Sequence, residues 1–236
     1  MKTFCFLLIT WLGQYNFQAY AQTENKSLNE FLILGTLKDY MGRTLDPREE
    51  SLLDRYDPSE GVMKTIVDSL ISTTYPKEVY REMEIGVNTI SSNFLATRFN
   101  EFYSYSTSHS STPEGKEILT GRLRDNIMQN EQEKLAFLAG AFLRFGSISD
   151  SAYCISVANS LSKAEVCNKL LNDLGCEPYY NIRRNIPNIH HVFFHPTQEV
   201  LAYLKKYEKL HKTVEDSRKL FFQNMINESI RKTEKK

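Results

Sequence analysis

At 236 residues, 25% of them charged and 41% apolar, the chain has the composition of an ordinary globular protein, long enough to bury a full core as one large domain or two small ones. Basic and acidic side chains balance at 29 each, which removes any whole-molecule electrostatic argument for nucleic acid or an acidic surface. The balance is uneven along the chain: Gln22–Asn126 holds 12 basic and 17 acidic residues, whereas Lys205–Lys236 holds 10 and 5, so the end is locally positive, the usual mark of a solvated helix face.

Residues 1–21 have the pattern of an export signal. Lys2 precedes the apolar run Phe4–Gly13, and Ala19-Tyr20-Ala21 supplies the small-x-small site that signal peptidase cleaves. That run is too short to span a bilayer, and no second apolar stretch of about 18 residues follows. The expectation is an exported protein, periplasmic or secreted, beginning near Gln22 and without a transmembrane segment. Its cysteines are then Cys154, Cys167 and Cys176, an odd set that permits one disulfide; their spacing fits no zinc pattern.

From residue 22 to 103 the pattern predicts a helical domain. Ser27-Leu28-Asn29-Glu30 is a capping box, followed by Phe31, Leu32, Gly35 and Lys38 at helical spacing. Asp46-Pro47-Arg48-Glu49 and Asp57-Pro58-Ser59-Glu60 repeat one helix-starting device: an Asp cap, a proline at the first helical position and a closing glutamate. Helix starts account for these carboxylates without catalysis. After Pro76, apolar residues from Val79 to Phe102 predict a helix of about 25 residues. Residues 104–112, opening with Ser104–Ser111 (SYSTSHSS), read as an exposed linker and the domain boundary. Thr112-Pro113-Glu114 reads as the next helix start.

Within residues 113–236, Leu135–Ile148 (LAFLAGAFLRFGSI) stands out as an apolar helix dotted with small residues, capped by Asn130 and Glu133. Interior Gly140 costs about 1 kcal/mol against alanine unless another backbone packs closely there, so this helix is expected to be central and buried. Beyond it the period changes. Ala152–Asn159 alternates as a strand, Ser162–Leu174 is a helix stopped by Gly175, Tyr179–Ile186 and Ile189–His195 form a hairpin about Pro187-Asn188 with a loop of about four residues, and Thr197–His211 is a helix. The fold class expected is α+β, a helical first half followed by a module with a small antiparallel sheet and a basic C-terminal helix.

Leu138–Ile148 together with this element order resembles the LAGLIDADG homing endonucleases, and more closely the degenerate copy of their motif in the WhiA sporulation-regulator family, which also runs Gly-Ala-Phe-Leu and then Gly-Ser. The resemblance covers residues 131–207 and leaves the first half unassigned. In the endonucleases the penultimate motif residue is an acidic metal ligand. Here that position is Phe145 and the earlier acidic position is Leu143, so the resemblance does not imply nuclease activity.

No His/Cys/carboxylate set, phosphate loop or triad order marks a catalytic or metal centre, and no cofactor is implied. His191 and His195 share a strand face but lie about 13 Å apart by strand spacing, too far for one metal ion. A hairpin turning at Pro187-Asn188 puts Tyr180, Ile182, Ile186, Ile189 and Phe193 on the core face. Tyr179, Asn181, Arg183, Asn185 and His190 then form the opposite, candidate binding face, the face that the resemblance makes a DNA saddle. Three functions follow: an exported, non-catalytic protein that binds an unknown protein or other ligand; a WhiA-like nucleic-acid binder, if the chain is not exported; and an uncharted hydrolase.

Overall fold

The structure, a computed structural model, describes residues 26–149 and 152–234. The expected export signal lies outside the described residues. The fold is α+β. It begins with α1 (residues 26–36) and continues through β1 (Arg43–Leu45), β2 (Leu52–Arg55), a 3-10 turn at Pro58–Glu60, α2 (Gly61–Thr74), α3 (Lys77–Arg81), β3 (Glu84–Ile85), β4 (Thr89–Ser91), α4 (Asn93–Asn100), β5 (Tyr103–Ser111) and β6 (Glu117–Leu123). The second half comprises α5 (Glu131–Phe145), β7 (Gly146–Ser149), β8 (Ala152–Ala158), α6 (Leu161–Asp173), β9 (Tyr179–Arg183), β10 (Ile189–Phe194), α7 (Gln198–Lys205) and α8 (Glu208–Glu234).

The described residues form three antiparallel sheets, with the orders β1-β6-β5, β2-β4-β3 and β7-β8-β10-β9. Two of them repeat one plan. In the second half a strand (β8) leads through a helix (α6) to a hairpin (β9–β10) whose last strand returns to pair with the first; in the first half β1, α4 and β5–β6 do the same. The chain is thus an internal duplication of helix, strand, helix and hairpin, with residues 46–92 inserted into the first copy to build the third sheet, α2 and α3.

This plan corrects several expectations. Residues 104–111 are no linker: they form most of β5, laddered against β6 from Tyr103↔Leu123 to Ser111↔Glu117, with a bulge between Thr107 and Ser110 where His109 takes a φ of 56°. Thr112-Pro113 turns the hairpin instead of starting a helix; Gly115 N donates to Thr112 O at 2.9 Å, and Gly115 supplies the left-handed φ of 80°. Asp57-Pro58 does open the 3-10 turn that leads into α2. Asp46-Pro47 does not start a helix, because the Asp46 carboxylate is taken by the Arg48 amide and guanidinium at 2.9 and 2.6 Å, closing a turn that feeds β2. The 25-residue helix breaks into α3, β3, β4 and α4. Val87, Thr89 and Ile90 favour extended backbone, Lys64 Nζ holds the turn through the Gly86 and Val87 carbonyls (2.8 and 2.7 Å), and Ser92 restarts the helix by accepting from Leu95 N. The first half is therefore mixed, not helical.

The two copies meet at a helix crossing. A Cβ on Gly140 of α5 would collide with the Leu32 carbonyl and lie 3.2 Å from Gly35 Cα; one on Gly35 of α1 would collide with the Phe137 carbonyl and lie 2.7 Å from Ala141 N. Backbone packs on backbone here, which only glycine allows. Leu32, Ile33, Leu34, Ala136, Phe137 and Ala141 are buried around the crossing. Both glycines thus occupy equivalent places in the duplication.

Beside the crossing sits a buried ionic cluster. Arg144, fully inaccessible, uses all its donors: Asp54 Oδ2 at 2.6 Å, Glu60 Oε1 and Oε2 at 3.0 and 2.9 Å, and the carbonyls of Thr36 and Arg55 at 2.8 and 2.9 Å. Arg218 of α8 adds a second cation on Glu60 at 3.0 Å. On the other side Lys163 of α6, also fully buried, donates to the Leu34, Gly35 and Leu37 carbonyls at the open C-terminus of α1. Burial holds its pKa below the usual lysine range, partly offset by the nearby Asp39 charge. Among the described residues no disulfide forms; Cys154, Cys167 and Cys176 are buried free thiols, and burial pushes Cys167 up to about 12. No helix of the described residues is long and apolar enough to cross a membrane.

The packing at the crossing can be tested directly. Gly140→Ala should cost about 3 kcal/mol or more, since the new methyl meets backbone that cannot swing away, whereas Gly61→Ala, with nothing within 4 Å, should be neutral or slightly stabilising; denaturant midpoints of the two variants decide. Glu60 gives a pH dependence. Burial alone would raise its pKa, but hydrogen bonds and charge from Arg144, with Asp57 N and Arg218, hold it at about 2 against an ordinary 4.5. A depressed carboxylate stabilises above its unfolded pKa and loses that contribution as the pH falls, so on the order of 3 kcal/mol should disappear between pH 4.5 and 2. Acid unfolding of Glu60→Gln should lack this component; an unchanged acid limb would refute the assignment.

Candidate functional site

The sheet β7-β8-β10-β9 has one face on the helices and one open. Register fixes which residues go where. β10 pairs β8 with Val192↔Ile155 and Phe194↔Tyr153, and pairs β9 with Val192↔Tyr180 and His190↔Ile182. Residues directly opposite one another share a face, so Tyr153, Ile155, Tyr180, His190, Val192 and Phe194 turn towards α5 and α6. The strands alternate accordingly, with His190, Val192 and Phe194 buried.

The open face takes the other positions: Ser147 and Ser149 of β7, Cys154 and Ser156 of β8, Ile189, His191 and Phe193 of β10, and Tyr179, Asn181 and Arg183 of β9. Tyr179, Asn181 and Arg183 thus lie where the alternation of β9 puts them, and Tyr180 and Ile182 lie on the helix side as expected. β10 is the correction. Arg183 pairs directly with Ile189, leaving five loop residues where four were expected, and the extra residue inverts every side chain of β10. His190, expected on the binding face, is 7% exposed beneath the sheet and shares a 2.6 Å hydrogen bond with the Tyr180 hydroxyl. Burial lowers its pKa, with Glu165 opposing and His191 adding to the shift; burial and Glu165 raise that of Tyr180. Ile189 and Phe193, expected in the core, are on the open face. Asn185 lies beyond the strand in the loop; with its amide turned so that the oxygen accepts from Arg183 Nε, the nitrogen donates to the Arg184 carbonyl, each at 3.0 Å.

The inversion gathers an aromatic row that sequence reasoning missed. His191 and Phe193 stack at 5.6 Å and 25°, and Phe193 meets Tyr179 at 6.3 Å and 28°, so three near-parallel rings stand side by side across β10 and β9. Tyr179 is 65% exposed. His191 is oriented from the side by its partner across the strands, its Nδ1 sharing a hydrogen bond with Ser156 Oγ at 2.8 Å, with Cys154 Sγ at 3.9 Å. The Cys154 thiol is raised by burial, against the pull of the Ser156 hydrogen bond. Arg183 ends β9 on the same face, two residues after Asn181, and the exposed Arg184 lies in the loop beyond it. None of the outward strand positions is a carboxylate. Correct pairing of Arg183 with Ile189 was the missing signal; with it, the period of two yields the whole row.

The open side of the first-half sheet is chemically simpler. Thr44, Ser104, Ser106, Thr120 and Arg122 face away from the buried Tyr103 and Leu123, and a cleft of about 640 Å³ separates part of this side from the start of α6. Arg122 is paired with Glu165 of α6.

The positions that the endonuclease motif makes acidic hold no carboxylate in either copy. Counting from Gly140, the penultimate position is Phe145; counting equally from Gly35, it is Tyr40. Among the described residues no three His, Cys, Asp or Glu side chains gather as metal ligands.

No family model matches the chain, and no curated protein matches it in sequence. Solved structures of similar course include the homing endonuclease I-DmoI in complex with DNA and calcium (14% identity, TM-score 0.45, covering 79% of this chain and 90% of that one) and mesophilic variants of the same endonuclease (14%, TM-score 0.46, 77% and 95%).

The assignment of faces predicts a clean separation. Tyr179→Ala with Arg183→Ala should leave the melting temperature within a degree or two, because both side chains are exposed. Phe194→Ala, 3% exposed on the helix side, should cost about 3–5 kcal/mol. If the exposed pair were the destabilising one, the pairing of Arg183 with Ile189 would be wrong.

Proposed function

We propose that the protein binds nucleic acid on the open face of β7-β8-β10-β9 and does not cleave it. One observation carries this: a solvent-facing sheet surface that combines an arginine, an amide, hydroxyls and a row of outward aromatic rings with no outward carboxylate. A polyanion is repelled by every acidic side chain it approaches, and the strands of this face present none. Arginine suits phosphate through its planar, bidentate fork, and Asn181, Ser147 and Ser149 add neutral donors. Without carboxylates at Tyr40 and Phe145, the motif ends lack the ligands that would hold a hydrolytic metal ion. The face therefore supports holding a strand and not cutting it.

Labelled nucleic acid of random sequence, titrated at several salt concentrations, tests this. Binding should weaken linearly on a log–log salt plot, and Arg183→Ala should reduce the slope by about 1. No binding at low salt would overturn the proposal.

A second reading rests on residues 1–21, whose Phe4–Gly13 run and Ala19-Tyr20-Ala21 site match an export signal. An exported, non-catalytic protein would turn the same face towards a protein or other ligand outside the cytoplasm. Mature protein starting near Gln22 in the periplasmic or secreted fraction would favour that partner over nucleic acid.

A further inference from the structure

We infer that the ligand of the open sheet face is an unpaired strand, bound by stacking its bases on the Tyr179–Phe193–His191 row. This rests on the nucleic-acid function proposed above and specifies its substrate class. In a duplex the flat faces of the bases are already stacked on one another, and a protein reaches only their edges and the phosphates. Outward rings on a sheet offer nothing to such a surface. An unpaired strand presents π-faces that gain by covering an aromatic ring, each stacked base being worth about 1–3 kcal/mol whatever its sequence. Antiparallel sheets that bind single strands do so through two or three outward aromatics on neighbouring strands.

The geometry fits that use, and stability does not require it. His191 and Phe193 lie on β10, the second strand in from the β9 edge, and Tyr179 is opposite Phe193 on β9 itself, so the row runs from inside the sheet to its rim. The rings are near-parallel, with interplanar angles of 25° and 28°. Ser156 fixes the imidazole of His191 through Nδ1, leaving the ring edge that carries Nε2 turned away from that bond. Arg183 follows on the same face two residues after Asn181, and the Asn185 amide braces its Nε, placing a cation where the backbone of a strand stacked on the rings would pass. An exposed tyrosine stacked on a partly exposed phenylalanine adds little to the core beneath, where Val192 and Phe194 already fill the helix side.

Fluorescence anisotropy with a labelled 20-mer, offered as single-stranded DNA, single-stranded RNA and the corresponding duplex at one salt concentration, tests the inference. Either single strand should bind at least tenfold more tightly than the duplex. Tyr179→Ala combined with Phe193→Leu should lose at least tenfold on the single strands and little on the duplex, at an unchanged melting temperature; Arg183→Ala should weaken all three ligands. Duplex binding as tight as single-strand binding would overturn the inference while leaving the nucleic-acid function standing. Full single-strand affinity in the aromatic variant would overturn it as well, as would a hundredfold preference between RNA and DNA, which would mean that the sugar, not the stacked base, is recognised. Binding of none of the three would overturn both this inference and the function it rests on.

Discussion

Everything in this fold is referred to one contact, the place where α1 and α5 touch backbone to backbone at Gly35 and Gly140. Because neither helix has a side chain there, their axes approach more closely than side chains would permit, and the residues flanking each glycine, Leu34 and Thr36 on one helix and Ala139 and Ala141 on the other, are drawn into full burial. The two copies of the duplication hang from this contact. Each sheet is tied to the crossing through its own helix, so the positions of both open faces follow from how two glycines meet.

So close a crossing creates a problem at its end. α1 stops at residue 36 inside the protein, where its last carbonyls have no water to accept from. The chain solves this with two buried cations brought from elsewhere: Lys163, from the helix following β8, takes the carbonyls of Leu34, Gly35 and Leu37, and Arg144 takes that of Thr36. Among the described residues the lysine has no carboxylate at hydrogen-bond range, its charge set against the negative end of the helix. The arginine is neutralised by Asp54 and Glu60, both from the inserted segment. The insert is thus more than an appendage, because the carboxylates that make a buried Arg144 tolerable come from β2 and the turn after it.

How much of this was legible in the sequence depended on length and local punctuation. The α5 helix, its Asn130 cap and the need for a close neighbour at Gly140 could be read directly, because a glycine inside an otherwise ideal apolar helix weakens it unless a backbone packs there. β8, α6 and the β9–β10 hairpin were also readable, each bounded by turn residues and holding one period throughout. The first half was not. Its strands β1 to β4 are two to four residues long, too short for a period of two to show, and the apolar residues of Val79–Phe102 fall at helical spacing across what are in fact two short helices with a hairpin between them. The duplication was hidden because the insert separates β1 from α4, although Ile33-Leu34-Gly35 against Leu138-Ala139-Gly140 hinted at it. At the candidate face a single loop residue made the difference: the alternation of β9 was legible by itself, whereas that of β10 was inverted by the length of the turn.

The serine-rich strand of the first half also governs how the protein meets other chains. β5 is the outer strand of its sheet, with nine residues and one whole row of backbone amides and carbonyls facing away from β6. A straight edge of that length is a template on which a strand of any other chain can lengthen the sheet. Here the template is spoiled halfway. The bulge between Thr107 and Ser110, with His109 in the left-handed region, turns the backbone so that an incoming strand finds only Tyr103–Thr107 in register before the ladder breaks. The low-complexity composition fits the same end: small hydroxyl side chains give such a strand no apolar surface to zip against. The stretch of lowest sequence complexity is therefore a guarded border, built to keep this sheet from growing into its neighbours.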